Sequence, residues 1–331
     1  MCTSGTVYWQ SMAGEIRIGT SGYSFKDWVG TVYPAGTRAS EYLRYYVKDF
    51  DTVEMNATFY RVPSPDVTAR IAQKVPNGFC FTVKAPRTMS HERKRFDEAK
   101  EPFLRALAPL QDAGMLGGVL VQFPQSFHLD AHSVDVLPRL ADAFRPAEYS
   151  VFVEFRHRSW CQDAVYEQME QLGLGVVNVD LPAIGTLPRP SAIVTTDRAY
   201  VRLHGRNRDM WYRHPTPSHR YDYAYPDQEL DEWGKRIAEM AEKASVVFSF
   251  SNNCHMGSSY VDALRLKQRL GQPIRTKSDA PVMLFEADGR RPYVETLARQ
   301  VAAAHDRERD VIATWREMQG EDRTSAEDGA A

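Results

Sequence analysis

Polar and charged side chains close several β-like runs of this 331-residue sequence, and they come in pairs spaced two residues apart. The clearest pairs are Glu54 with Asn56, Thr82 with Lys84, Glu154 with Arg156, Asn178 with Asp180, and Arg202 with His204. Because side chains alternate between the two faces of a strand, both members of each pair are expected to point to one side of their strand and the apolar neighbours to the other. Carboxylates, cations and an imidazole gathered in this way could bind an anion or transfer protons.

The elements that must position these pairs follow a repeated strand–helix rhythm. Strands are expected to begin near Ile16, Val53, Phe81, Val119, Val151, Val176, Val201 and Val246. Helical spacing of apolar residues falls over residues 40–50, 65–74, 98–112, 133–144, 163–172, 227–243 and about 258–270. The prolines of segment 181–197 allow at most a short helix. Eight such units are typical of a TIM (β/α)8 barrel, and the absence of a GxGxxG turn disfavours an open doubly wound sheet.

The pattern predicts one main domain. Residues 15–270 are expected to form the barrel, and residues 271–318 a C-terminal helical extension that packs on it. Residues 1–14 and 319–331 are expected to be disordered, the latter because they are small and acidic. Met12 lies just before the first strand, so residues 1–11 could reflect the choice of start codon.

Composition and charge narrow the function classes. With 43% hydrophobic residues, 25% charged residues and a net charge of -2, the sequence is typical of a soluble globular protein. Nucleic-acid binding would therefore need a local basic patch. Cysteines at positions 2, 80, 161 and 254 lie far apart without CxxC spacing, which argues against disulfides and structural zinc. No apolar run suits a membrane span and no export signal is recognisable, so a cytoplasmic location is expected.

Five short segments resemble those of a known family. They are Gly19-Thr20-Ser21-Gly22, Glu54-Met55-Asn56-Ala57-Thr58-Phe59-Tyr60, Val153-Glu154-Phe155-Arg156, Arg202-Leu203-His204-Gly205 and Ser251-Asn252-Asn253. In this order they resemble the signature segments of the YecE-like family, a TIM-barrel domain of unknown function that is number seventy-two in its series. The resemblance covers about residues 15–270, and segment 254–257 departs from the family pattern. It implies the barrel fold and no established reaction.

Active sites of TIM barrels lie at the carboxyl ends of the strands. We therefore seek the candidates in the mouth of the barrel, meaning the interior side chains at those ends. Glu54, Glu154 and His204 are the candidate catalytic residues, because carboxylates and an imidazole can transfer protons or hold a metal. The candidate substrate-binding residues are Ser21, Asn56, Tyr60, Lys84, Gln122, Arg156, Trp160, Asp180, Arg202 and Asn252.

The chemistry of these residues has several interpretations. Glu54 and Glu154 could be the carboxylate pair of a glycosidase, but the neighbouring cations favour two ionised carboxylates over one protonated acid. A divalent metal is another possibility, although metal-dependent barrels usually have more histidines at their strand ends. Its ligands would be Glu54, Glu154, Asp180 and His204, and no other cofactor is indicated. A purely structural ion-pair network is the third alternative, and the cost of burying charges favours function over it.

The predicted ligand is an anion. The loop after the seventh strand combines Arg206, Arg208 and Arg213 with Trp211, which suits a phosphate-bearing compound or a nucleotide. The leading hypothesis is an enzyme, a hydrolase or isomerase, that acts on a phosphate-bearing substrate. The alternatives are a nucleic-acid binding or phosphodiester-processing barrel resembling endonuclease IV, and a small-molecule sensor without catalysis. The exact substrate, the metal requirement and the oligomeric state do not follow from the sequence.

Overall fold

Eight parallel strands form a barrel wall in the computed structural model, which describes residues 14–93, 95–275 and 281–282. The strands are β1 (Glu15–Thr20), β2 (Thr52–Met55), β3 (Cys80–Lys84), β4 (Leu116–Gln122), β5 (Val151–Glu154), β6 (Leu174–Asp180), β7 (Arg198–Leu203) and β8 (Val246–Ser251). Each begins close to its predicted start. The prediction of a TIM barrel is therefore confirmed.

Helices cover the outside of the barrel. They are α1 (Tyr42–Tyr46), α2 (Pro65–Ala72), α3 (Arg87–Ser90), α4 (Phe96–Asp112), α5 (Val136–Phe144), α6 (Asp163–Leu172), α7 (Asp227–Ala241) and α8 (Ser258–Arg269). The apolar spacing of these segments gives each longer helix one buried stripe. In α5, for example, Leu137 and Leu140 are buried while Arg139 is exposed.

The connection from β6 to β7 contains no helix. Proline fixes φ and lacks an N–H donor, which explains why the proline-rich chain here stays irregular. This chain covers the outer face of β6 through polar contacts. Asn178 Nδ2 donates to the carbonyl of Ile193 at 2.8 Å, and Asn178 Oδ1 accepts from Ser191 Oγ at 2.7 Å.

The two faces of β6 are exchanged relative to the prediction, so that the side chains expected inside the barrel point outward. Residues paired in register between parallel strands share a face, and Val179 is paired with Arg202 while Asp180 is paired with Leu203. Val177 and Val179 accordingly pack inside the barrel, and Asn178 and Asp180 point outward. The expected place of Asp180 in the mouth is therefore wrong.

The barrel closes between β1 and β2 through a single backbone bridge, from Ser21 to Glu54. Tyr46 supplies the other contacts of this junction. Its hydroxyl accepts from the Thr20 N–H at 2.8 Å and donates to the Thr52 carbonyl at 3.1 Å. Gly19 permits the close approach, because a Cβ there would lie 2.4 Å from the Thr52 carbonyl oxygen.

Large apolar side chains fill the barrel interior below the mouth. They include Leu120, Phe152, Val177, Val179, Tyr200, Phe248 and Phe250. A separate, larger apolar core lies between the strands and the surrounding helices. The polar groups at the carboxyl ends of the strands therefore have this low-dielectric apolar layer on one side and the open end of the barrel on the other.

The predicted C-terminal extension and both predicted disordered ends lie mostly outside the described residues. After α8, two-residue strands at Ile274–Arg275 and Pro281–Val282 pair antiparallel. Throughout the described ranges, no helix is both long and apolar enough to cross a membrane.

Candidate functional site

Arg202 lies at the centre of the mouth and holds both predicted catalytic carboxylates. Its Nη1 donates to Glu154 Oε2 at 2.6 Å and its Nη2 donates to Glu54 Oε1 at 2.7 Å. All three side chains are buried. Both carboxylates are therefore engaged by one guanidinium of the fold, whereas the pair of a glycosidase flanks the bond of its substrate.

Glu54 is supported from below by a tyrosine. The Tyr200 hydroxyl donates to Glu54 Oε2 at 2.7 Å and lies 2.8 Å from Thr82 Oγ1. Burial and the adjacent charge of Glu54 raise the pKa of Tyr200 well above its usual value. Tyr200 is therefore a neutral donor that orients Glu54. Sequence analysis did not single it out, although it lies two residues before Arg202 on the same face of β7.

Glu154 also orients the cation and the imidazole above it. Arg156 Nε donates to Glu154 Oε1, and His204 Nε2 lies 3.2 Å from the same oxygen. Burial alone would raise the pKa of Glu154, but the charges of Arg156 and Arg202 outweigh it and hold that pKa well below its usual range. Glu154 is therefore ionised at neutral pH.

His204 is a neutral imidazole in this arrangement. Burial and the charge of Arg156 lower the pKa of His204 well below its usual value. Asn252 Nδ2 lies 2.8 Å from His204 Nδ1, while His204 Nε2 faces Glu154. With the Asn252 amide donating, the proton of the ring resides on Nε2 and is directed at the carboxylate.

Lys84 lies in the mouth at the end of β3 and forms no salt bridge with a carboxylate of the described residues. Its Nζ donates to Gln122 Oε1 at 2.8 Å and lies 4.3 Å from the centre of the Phe59 ring. Burial and the nearby charge of Arg202 lower the pKa of Lys84 from 10.5 to about 7. Its amine therefore titrates near neutral pH, whereas the guanidinium groups around it remain charged.

Two small polar side chains complete the part of the mouth near β1 and β2. Ser21 Oγ accepts from Arg202 Nη2 at 3.3 Å. Asn56 Oδ1 is buried and has no hydrogen-bond donor in the described part of the chain. A buried acceptor without a donor is costly, so this oxygen is suited to a donor group of a ligand.

Three predicted substrate-binding residues do not join this cluster. Asp180 faces outward and accepts from Arg206 Nε, with both oxygens at 3.0 Å. Trp160 is buried in an aromatic stack, its ring centre 4.3 Å from that of Phe155, with its N–H donating to a backbone carbonyl. Tyr60 is 80% exposed, and no side-chain hydrogen bond to another described residue fixes it in the mouth.

The four residues predicted as metal ligands do not converge. Asp180 lies on the outer face of β6, while Glu54 and Glu154 are engaged by Arg202. Across residues 14–93, 95–275 and 281–282, no group of three or more histidine, cysteine, aspartate or glutamate side chains is arranged to hold a metal ion. The described residues therefore give the predicted metal site no geometric support.

The arginines of the loop after β7 differ in their availability. Arg206 is paired with Asp180 and also with Glu229, whose Oε1 lies 2.9 Å from Arg206 Nη1. Arg208 and Arg213 are exposed. To contact a large anionic partner, Arg206 would have to leave these carboxylates, whereas Arg208 and Arg213 face solvent.

A separate groove of about 370 Å³ lies at the opposite end of the barrel. Its walls come from the end of α5, the start of β5 and the start of β6, and include Phe144, Tyr149 and Leu174. None of the predicted site residues lines it. Since TIM-barrel chemistry takes place at the carboxyl ends of the strands, this groove is not the candidate site.

Comparison with known proteins gives a consistent result. A family model described as "Protein of unknown function DUF72" matches residues 17–283. The chain is 31% identical over 254 residues to UPF0759 protein YunF of Bacillus subtilis strain 168, covering 72% of this chain and 88% of that protein. It is 30% identical over 164 residues to UPF0759 protein YecE of Escherichia coli strain K12, covering 47% of this chain and 58% of that protein. The crystal structure of a DUF72 family protein from Thermotoga maritima matches with a TM-score of 0.72 and 37% identity, covering 77% of this chain and 99% of that one.

Proposed function

The chain belongs to the DUF72 family of proteins of unknown function, and we propose that it is an enzyme acting on an anionic, phosphate-bearing substrate in the mouth of its barrel. The resemblance to YecE-like proteins noted from the sequence is thereby confirmed. The family carries no assigned reaction, so the proposal depends on the chemistry of the mouth. We also propose a cytoplasmic location, which suits the free thiols of Cys80, Cys161 and Cys254.

One observation carries the proposal, namely that Lys84 is a cation of the mouth whose charge no carboxylate of the described residues pairs with directly. The charges of Arg202 and Arg156 are balanced by those of Glu54 and Glu154. Lys84 makes no salt bridge within the described residues, and its charged form is disfavoured by burial and by the two arginines. A bound anion would reverse this balance, because a negative charge nearby favours the ammonium form.

The roles of the remaining residues follow from their contacts. Lys84 and Arg156 hold the anionic group, and Asn56 accepts from a hydroxyl or N–H of the substrate. Glu154 keeps Arg156 and His204 in place. His204, as a neutral imidazole, is the proton-transfer candidate, and Asn252 is the residue that a substrate would displace from its Nδ1.

A direct experiment is binding of inorganic sulfate, a dianion that does not titrate near neutral pH, measured by isothermal titration calorimetry. We expect Lys84→Met to weaken binding at pH 6 by about tenfold or more, the loss expected from one charge-assisted contact. Arg208→Met removes an exposed arginine from the same end of the barrel and serves as the matched control. Equal sulfate affinity in wild type and Lys84→Met would contradict the proposal.

Catalysis requires a second experiment. A panel of phosphorylated sugars, aldehydes and ketones is incubated with the protein, and products are followed by mass spectrometry and NMR. Glu154→Gln is the inactive control, because it removes the charge that aligns Arg156 and His204. Conversion by wild type but not by the variant supports an enzyme. Tight binding of a compound without any conversion would instead support a sensor.

Nucleic-acid binding is the second candidate, favoured by exposed aromatic side chains. Tyr60, 80% exposed, and Tyr212, 53% exposed, follow β2 and β7 and so lie at the carboxyl-terminal end of the barrel. Such rings can stack on bases. This candidate predicts that Arg208→Met and Arg213→Met weaken binding of a single-stranded oligonucleotide and reduce its dependence on salt. Salt-independent binding would count against it.

A further inference from the structure

Lys84 has contacts that differ from those of every other cation discussed above. Its amine touches an amide oxygen, Gln122 Oε1 at 2.8 Å, and the face of Phe59. Neither partner carries a negative charge, so neither favours the ammonium form as strongly as a carboxylate would. The side chain is half-buried, so part of it is exposed to solvent.

The charged and titratable groups around Lys84 come from four elements. They are Glu54 from β2, Glu154 from β5 with Arg156 just after it, Arg202 from β7, and His91 just after α3. Burial and the charge of Arg202 lower the pKa of Lys84 to about 7, and burial and Lys84 lower that of His91 to about 4. At neutral pH a large share of the lysine is therefore a free amine, which is the form that attacks carbonyl carbon.

A hydrogen-bond acceptor follows the neighbouring strand. Met55, the last residue of β2, is paired in register with Val83, so Asn56 directly follows the paired part of β2 and Lys84 follows that of β3. The Thr58 hydroxyl donates to the Lys84 carbonyl at 2.6 Å and fixes the segment after β2 against the end of β3. The donor-free Asn56 Oδ1 can accept from a hydroxyl group on a compound bound to Lys84.

We propose that Lys84 is a nucleophile that forms an imine with a phosphate-bearing aldehyde or ketone. This inference rests on the proposed function and refines it. Arg156 keeps the phosphate group, while Lys84 gives up its contact with the anion, loses a proton and bonds to the carbonyl carbon. The amine nitrogen adds to the carbonyl carbon as the C=O π bond opens, and a proton moves from nitrogen to oxygen. The second proton of the nitrogen then leaves with that hydroxyl as water and the nitrogen lone pair forms the C=N bond, so amine and carbonyl give imine and water.

The test is reductive trapping with pyridoxal 5′-phosphate, an aldehyde with a phosphate group, followed by sodium borohydride and peptide mapping by mass spectrometry. We expect one adduct, on Lys84, formed about tenfold or more faster at pH 7.5 than any adduct on Lys48. Lys48 is the matched comparison, because its amine also lies over an aromatic ring, 5.4 Å from the centre of Tyr45, but outside the mouth. Labelling spread evenly over the lysines would overturn the proposal.

Two controls make the result independent of misfolding. Lys84→Arg should lose the adduct while Lys48→Arg keeps it, with folding of both checked by circular dichroism. In the wild type, added sulfate should slow labelling of Lys84 and leave that of Lys48 unchanged.

The outcomes separate this inference from the proposed function. Sulfate binding that depends on Lys84, without an adduct there, would overturn the imine and keep the anion site. Equally fast labelling by pyridoxal, which lacks the phosphate, would support the nucleophilic lysine and contradict the phosphate-bearing substrate. Absence of both sulfate binding and selective labelling would overturn both.

Discussion

Arg202 Nη1 lies 2.6 Å from Glu154 Oε2 in the buried centre of the mouth. A charge pair buried this completely is held by its geometry, and removing one partner leaves the other uncompensated. Glu154 also contacts Arg156 and His204, so its charge aligns groups that follow β5 and β7.

Replacing Glu154 with Gln should reduce turnover of any substrate found by roughly a hundredfold or more, because the aligning charge is lost while the shape is kept. The free energy of unfolding should fall by about 2 kcal/mol, since the two arginines keep only one carboxylate between them. Kinetic assays and denaturant titration measure the two effects. Glu170→Gln, on the exposed surface of α6, is the control and should change neither. A fully active Glu154→Gln protein would rule out the assigned role.

Sulfate binding should weaken with rising pH. Lys84, with a pKa of about 7 in the free protein, is mostly ammonium at pH 6 and mostly amine at pH 8. Binding at pH 8 should therefore be about tenfold weaker and should take up roughly 0.9 proton. Calorimetry in buffers of different ionisation enthalpy measures this uptake. Lys84→Met should show none, and proton uptake that persists in this variant would assign it to another group.

The contribution of Lys84 to the stability of the unliganded protein should change in the opposite direction and rise with pH. Burial lowers the pKa of Lys84 from 10.5 to about 7 in the folded state. Between these values the unfolded chain binds more protons than the folded one, so the contribution of Lys84 to the free energy of unfolding rises with pH. Comparing the pH profiles of wild type and Lys84→Met by denaturant titration isolates this contribution. A difference between the two proteins that stays constant from pH 7 to 10 would argue against the lowered pKa.

Removing the Tyr46 hydroxyl should loosen the junction of β1 and β2. Tyr46→Phe leaves the Thr20 N–H and the Thr52 carbonyl without this partner, which should cost about 1–3 kcal/mol of unfolding free energy. Tyr45→Phe changes a neighbouring, half-buried tyrosine and should cost less than about 0.5 kcal/mol. Similar losses in both variants would mean that the hydroxyl does not hold the junction.

Two glycine substitutions should act in opposite directions. A Cβ on Gly19 would lie 2.4 Å from the Thr52 carbonyl oxygen, so Gly19→Ala should destabilise the fold by about 1–3 kcal/mol or more. A Cβ on Gly234, within α7, would meet its nearest atom at 3.9 Å. Gly234→Ala should stabilise by about 0.5–1 kcal/mol, because alanine favours the helix. Thermal unfolding of the two variants measures both, and a stable Gly19→Ala protein would contradict the close approach.

The sequence was sufficient to predict the eight strands, because each is a short apolar run followed by polar residues at the end of the strand. It was also sufficient to place Glu54, Glu154 and Arg202 on one face, where the structure brings them into contact. The orientation of β6 was not predictable from alternation. Asn178 and Asp180 alternate with valines, and that pattern is the same whichever face is inside.

The reason for the error lies in what covers each strand. Most strands have a helix on their outer face, which requires apolar residues there. Part of the outer face of β6 is covered by an irregular chain whose backbone groups need partners, and Asn178 supplies them to Ile193. Arg206, from the next loop, similarly pairs with Asp180. These contacts join residues distant in sequence, so no local pattern contains them.

The pairing of β1 has a consequence for synthesis of the protein. Its ladder is with β8, where Glu15 pairs with Val246, and only one backbone bridge joins it to β2. β1, the first strand to leave the ribosome, can therefore form its backbone ladder only after β8 has been synthesised. At typical translation rates this interval is roughly 10–50 s, during which β1 is an open edge exposed to chaperones and to other nascent chains.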